Sequence, residues 1–160
     1  AVQARLIAAA RQIKITQPST TGIGMLAHQF LFATPDSRLV RFAGPRLADY
    51  AEAHSARGLR SQSDYYLWYN GTLAMFHAGG DGWKRWNGVV RDRVISLQKH
   101  EGCERGSWAP DSRWGSRGGR IYTTALAVLT LEVYYRFRNF DDPAPEITAA
   151  DKSPAKDKVD

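Results

Sequence analysis

Three segments of this chain have almost no polar face, and they alternate with segments that do. Residues 21–33 contain Gly22-Ile23-Gly24-Met25-Leu26-Ala27 followed by Phe30-Leu31-Phe32. Residues 65–78 run Tyr65-Tyr66-Leu67-Trp68-Tyr69-Asn70-Gly71-Thr72-Leu73-Ala74-Met75-Phe76, and residues 120–137 contain Ile121-Tyr122-Thr123-Thr124-Ala125-Leu126-Ala127-Val128-Leu129. A helix that is apolar nearly all round must be covered on most sides. The segments between them differ. Residues 2–15, 38–53 and 82–99 place apolar residues at helical spacing against arginines, lysines and carboxylates, for example Trp83, Trp86, Val90 and Val94 opposite Lys84, Arg85, Arg91 and Arg93. Such helices bury one face and leave the other in water. The alternation therefore predicts an all-α chain of about six helices in an inner and an outer layer.

Breaks separate the segments where the chemistry requires them. Gln17-Pro18-Ser19-Thr20 ends the first, with Ser19 or Thr20 as the next cap, and Thr34-Pro35-Asp36-Ser37 makes a turn. Pro45 is expected to kink or restart the third helix. Residues 54–63 read as a polar loop ending in Ser63 or Asp64 as a cap. Gly79-Gly80 stops the fourth helix and Asp81 caps the fifth. A glycine-rich loop spans residues 100–119. From Asp141 onward Pro, Ala, Lys and Asp dominate, a composition read as a disordered tail, so the domain is placed at 1–140 and the tail at 141–160. The buried segments also repeat: Gly71 lies 49 residues after Gly22, and Ala125 lies 54 after Gly71, each among small residues that admit a close neighbour. A period near 50 corresponds to one helical hairpin.

Composition narrows the function classes. The net charge is +6, with a basic body and a mildly acidic tail, but the arginines are scattered singly rather than in runs, which reads as a solvated helical surface and makes nucleic acid an unfavoured partner. No stretch approaches the roughly 18 apolar residues of a membrane span. Cys103 is the only cysteine, which excludes an intrachain disulfide. The chain begins Ala1-Val2-Gln3-Ala4-Arg5 without an initiator methionine, the pattern of a processed form or a piece of a longer protein, so the sequence assigns no compartment.

From Asp64 onward the chain resembles the prenyltransferase and squalene-cyclase repeat. The likeness runs from Asp64-Tyr65-Tyr66-Leu67-Trp68-Tyr69-Asn70-Gly71 through Gly79-Gly80, Trp83-Lys84-Arg85-Trp86-Asn87 and Gln98 to Gly106-Ser107-Trp108-Ala109-Pro110, Trp114-Gly115 and Gly118-Gly119-Arg120, closing at Glu132-Val133-Tyr134-Tyr135-Arg136. It is strongest over residues 64–138, weaker over 20–63, and similar in particular to the C-terminal cyclase-like repeat regions of planctomycete-type bacterial proteins. The resemblance implies a partial α/α toroid of the terpenoid-cyclase and protein-prenyltransferase kind. It also implies that Gln98, Gly106 and Trp108 form a structural staple between repeats, a stretched form of the family's glutamine–tryptophan motif.

The chemistry that the resemblance would bring is not visible in the residues. An Asp-rich acid motif is missing from the body, Asp141-Asp142 falls in the tail, and residues 65–78 and 120–131 contain no carboxylate. Cys103, His77 and His100 lack the spacing of a zinc site, and His77 reads as a core or cap residue. Glu132 is expected to pair with Arg136 one turn on. No catalytic residue, metal ligand or cofactor is assigned. Tyr65, Tyr66, Trp68, Tyr69 and Tyr122 are the candidates for an apolar cavity or interface. The sequence favours a non-catalytic repeat module with an open arc, whose apolar inner face is covered by a protein partner, by self-association or by the rest of a larger chain. The alternatives are a cyclase- or prenyltransferase-like isoprenoid binder whose acid motif lies elsewhere, and a basic binder of anionic surfaces.

Overall fold

A computed structural model describes residues 17–32, 37–56, 63–112 and 114–136. The helix expected at 2–15, the turn at 34–36 and the tail at 141–160 lie outside them. The described residues form five long helices and no strand: α1 (Pro18–Phe32), α2 (Arg38–Ala56), α3 (Tyr65–Ala78), α4 (Gly80–Ser96) and α5 (Gly115–Leu131), with a 3-10 turn at Gly102–Glu104 and a last helical turn, α6 (Val133–Arg136).

The helices stack in two rows. α1 packs on α3 and α3 on α5, so the three apolar segments stand side by side, while α2 and α4 pack together as the second row. α3 is the most enclosed. Tyr65, Leu67 and every residue from Gly71 to His77 are buried along it, and it touches α1, α4 and α5. The main core joins both rows through Met25, Leu47, Met75, Trp86, Val90 and Val94. At the outer surface of the second row, Arg85 on α4 holds Asp49 and Glu52 on α2 at 2.6 Å each.

Gly71 sets the spacing. A methyl group there would sit 2.5 Å from Cζ2 of Trp86, whose indole is fully buried. On the other side, a methyl on Gly22 would lie 3.4 Å from the Gly71 backbone. The α1 backbone and the α4 indole thus both reach α3 at one residue without a side chain. Trp86 is fixed there by its Nε1–H, which donates to Thr72 Oγ1 at 3.0 Å.

Several boundaries differ from the sequence expectation. α1 begins at Pro18 rather than after a Ser19 or Thr20 cap. Proline suits a first turn because its missing N–H would have no helical acceptor, and Thr21 N–H donates to Gln17 O. Ser19 instead donates across to the Asp64 carboxylate at 3.0 Å. Asp64 also caps α3 by accepting from Leu67 N–H at 2.9 Å, as the sequence suggested. Pro45 does not restart the third helix, which runs unbroken from Arg38 to Ala56. The preceding residue is Gly44, which has no Cβ to collide with the proline ring. α4 starts at Gly80 with Gly79 as its cap, and Asp81 lies in the first turn, paired with Lys84 at 3.5 Å. It ends at Ser96 rather than Lys99. The sixth segment is divided: Gly119 takes φ 72° and bends the start of α5, and Glu132 ends it before α6.

Substituting alanine for Gly71 is expected to cost about 2–3 kcal/mol, the scale of overpacking against a ring that has no room to move. Gly88→Ala, where no atom lies within 4 Å of the added methyl, is expected to be neutral or to stabilise by up to about 1 kcal/mol through helix propensity. Urea unfolding of the two variants checks the contrast.

Candidate functional site

Helix geometry separates the aromatic residues that the sequence grouped. Tyr65 and Trp68 share one side of α3 and meet edge to face, with ring centroids 5.0 Å apart. Tyr65 is buried, and burial, reinforced by the charge of Asp111, pushes its phenol up to about 12 despite a hydrogen bond with Ser63. Tyr66 projects from another side of α3 and stands near Tyr122 on α5, whose phenol is raised by burial and then by Asp64 and Tyr66. Tyr69 packs against the small cluster of Leu73, Phe76 and Val133.

A crevice does open between α2, α3 and α4. Its walls are Tyr50, His54, Trp68 and Trp86, with Asp64 and Arg93 also lining it, and Tyr50 stacks on His54 at 3.8 Å. Of the five candidate aromatics, only Trp68 reaches it. The enclosed volume is about 40 Å³. That is room for a few water molecules, far below the roughly 300 Å³ at which small-molecule sites begin.

Gln98, Gly106 and Trp108 do come together. Gln98 and Trp108 face each other in an isolated antiparallel bridge, and Gln98 Nε2 donates to Gly106 O at 3.2 Å. Lys99 N–H donates to Ser107 O and Gly106 N–H to Lys99 O, both at 2.8 Å. Gly106 sits at φ 80°, so the hairpin needs a residue that enters the left-handed region. Trp108 is the centre of the assembly. Its indole N–H donates to Val94 O on α4 at 2.7 Å, its backbone N–H donates to Thr124 Oγ1, and its carbonyl accepts from Thr123 Oγ1 at 3.0 Å. The loop thereby ties the second row to α5. Thr123 and Thr124 complete the tie, and hydroxyls within an apolar helix were the sequence signal for them.

The polar exceptions have structural settings. Gln29 is buried and donates from Nε2 to Ala74 O at 3.0 Å, crossing from α1 to α3. His28 Nδ1 lies 3.4 Å from Ser37 Oγ. His77 is buried between Phe30 and Phe76, with ring centroids at 5.4 and 5.7 Å. Glu132 pairs with Arg136 at 3.2 Å. Cys103 and His100 are exposed, and no three His, Cys, Asp or Glu side chains gather as a metal site among the described residues.

The conspicuous surface is apolar and lies at the ends of the first row. On α1, Phe30 is 57%, Leu31 76% and Phe32 63% exposed; on α5, Ile121 is 87% and Val128 39% exposed, and Tyr135 on α6 is 90% exposed. No protein-family model, curated protein or solved structure matches the chain.

Burial holds the His77 imidazole below its ordinary pKa of 6.5. Its neutral form therefore contributes stability that is complete above pH 6.5 and is lost as pH falls from there toward the folded-state value, by at most about 1.4 kcal/mol per pH unit. Urea midpoints measured at pH 7.5 and 5.5 are expected to fall with acid in the wild type and to change much less in His77→Phe. An equal fall in both would place the titration elsewhere.

Proposed function

We propose that this chain is a non-catalytic α/α repeat module, an arc of the toroid type implied by its repeat resemblance, that works by protein–protein contact. The observation that carries the reading is the set of exposed apolar side chains on α1 and α5. α1 has no Asp, Glu, Lys or Arg over its fifteen residues and still exposes Leu31 and Phe32. Contiguous exposed apolar residues mark interaction surfaces more often than chance placement does. The stacking of α1, α3 and α5 beside α2 and α4 supports a repeat reading, because each new hairpin adds one helix to each row. The crevice between α2, α3 and α4 favours contact over isoprenoid chemistry, since its volume does not admit a prenyl chain.

A dilute, folded sample is expected to enhance the fluorescence of an apolar-surface dye, and the Leu31→Glu/Ile121→Glu double variant is expected to lose most of that enhancement while keeping its helical circular dichroism. Native mass spectrometry after incubation with a polyprenyl diphosphate is expected to show the unmodified chain mass. Stoichiometric retention of the prenyl compound, or no dye response in the wild type, would contradict the contact reading.

A further inference from the structure

Four cations lie on α4, and three of them are paired. Lys84 meets Asp81 at 3.5 Å, Arg85 meets Asp49 and Glu52 at 2.6 Å each, and Arg91 meets Asp92 at 2.8 Å. Those three are exposed. The fourth, Arg93, is partly buried, and among the described residues no carboxylate pairs with it. The usual order is reversed here. A guanidinium withdrawn from water gains most from a counter-charge, and on α4 it is the one without.

Arg93 lines the crevice between α2, α3 and α4. Asp64 is the one carboxylate among the lining residues, and it is already engaged. Its Oδ1 accepts from Leu67 N–H at 2.9 Å and its Oδ2 from Ser19 Oγ at 3.0 Å. The remaining titratable residue of the lining is His54. Its Nδ1 lies 3.1 Å from Tyr50 O, and its ring stacks on the Tyr50 ring. A carbonyl oxygen only accepts, so Nδ1 carries the hydrogen. Leu67, Trp68, Val89 and Val90 supply apolar wall around these groups.

We propose that the crevice binds a carboxylate group, with Arg93 as its counter-ion and the apolar wall of Trp68 and Val89 against its carbon stem. The size agrees. A water-sized position takes roughly 10–15 Å³, so the enclosed 40 Å³ matches the three heavy atoms of a carboxylate. The chemistry agrees as well, because a guanidinium offers parallel N–H donors that a flat carboxylate accepts side by side. A phosphate is bulkier and would bring a second negative charge toward Asp64. The carboxylate comes from a free small acid or from an aspartate or glutamate of a protein, and both present the same three atoms. The site is separate from the exposed apolar residues of α1 and α5 and does not depend on them.

The test is a titration with sodium acetate at constant ionic strength, read by the indole N–H resonance of Trp68, with that of Trp114 outside the crevice as the control. A saturable shift at Trp68 and none at Trp114 is expected, with a half-point in the millimolar range because so few heavy atoms limit the affinity. Sodium phosphate is expected to give no saturable shift. Arg93→Gln is expected to weaken acetate binding by about tenfold or more, the loss of a charge-assisted bond. Val89→Glu places a carboxylate one helical turn before Arg93, where it pairs with the guanidinium, and is expected to abolish the response. Circular dichroism checks both variants, and Val89→Glu carries the test if Arg93→Gln loses helix. A short acetylated and amidated peptide with one glutamate separates the sources: tighter binding than acetate assigns a protein side chain, weaker binding a free acid. No saturable shift with either ligand overturns the proposal. So does an equal response to phosphate, or acetate binding that both variants leave unchanged.

Discussion

Gly71 is the residue on which the two rows depend. Along most helices an interior glycine is a cost, because it loses more conformational freedom than alanine and adds no contact. Here the missing side chain lets two neighbours reach the same backbone. Gly22 approaches from α1, and the Trp86 indole lies across it from α4. The row of apolar helices and the row of amphipathic ones are brought into register by one contact, and Thr72, the next residue, takes the indole N–H. Buried tryptophan thus contributes its area without leaving a donor unsatisfied.

A second tryptophan solves the same problem in the loop. Residues 97–112 are rich in glycine and polar side chains, yet they are organised around Trp108, which is buried and has its indole N–H on Val94 O. Its backbone is bonded to the hydroxyls of Thr123 and Thr124. A buried backbone outside a helix needs such partners. The threonines place them on α5 at adjacent positions, and Gln98 closes the hairpin from the other side. At the other end of α3, Asp64 does two jobs with one carboxylate, capping its own helix and receiving Ser19 from α1.

The helices were legible because their hydrophobic pattern is strong. Residues 65–78 follow from the Asp64 cap and the Gly79-Gly80 stop, and α3 occupies those residues. The all-round apolar character of three segments also indicated that they would lie together, as α1, α3 and α5 do. What misled were local signals overridden by neighbours. Pro45 reads as a break, yet the helix continues through it, with Gly44 offering no Cβ to the proline ring, and Ser19 reads as a cap but lies inside α1, which starts at Pro18, and donates to Asp64. The aromatic residues point to different sides for a geometric reason. Tyr65, Tyr66, Trp68 and Tyr69 are adjacent in sequence, and a helix turns consecutive residues to different sides. The exposed face of α1 was legible only coarsely: a segment with no charge reads as covered on most sides, and composition alone does not say which neighbour is missing.

A row of three helices has one member with two neighbours and two members with one. That asymmetry unites the stability of the fold with the proposed contact, because the same packing that encloses α3 leaves the outer sides of α1 and α5 uncovered. Hydrogen exchange resolved by residue tests it most directly. Amides of residues 73–77, in the second half of α3, are expected to be the slowest in the chain, exchanging only through global unfolding, with those of α1 and α5 opening at lower free energy. Exchange in α3 as fast as in α1 or α5 would contradict the account, since the central helix would then not be the element that holds the two rows together.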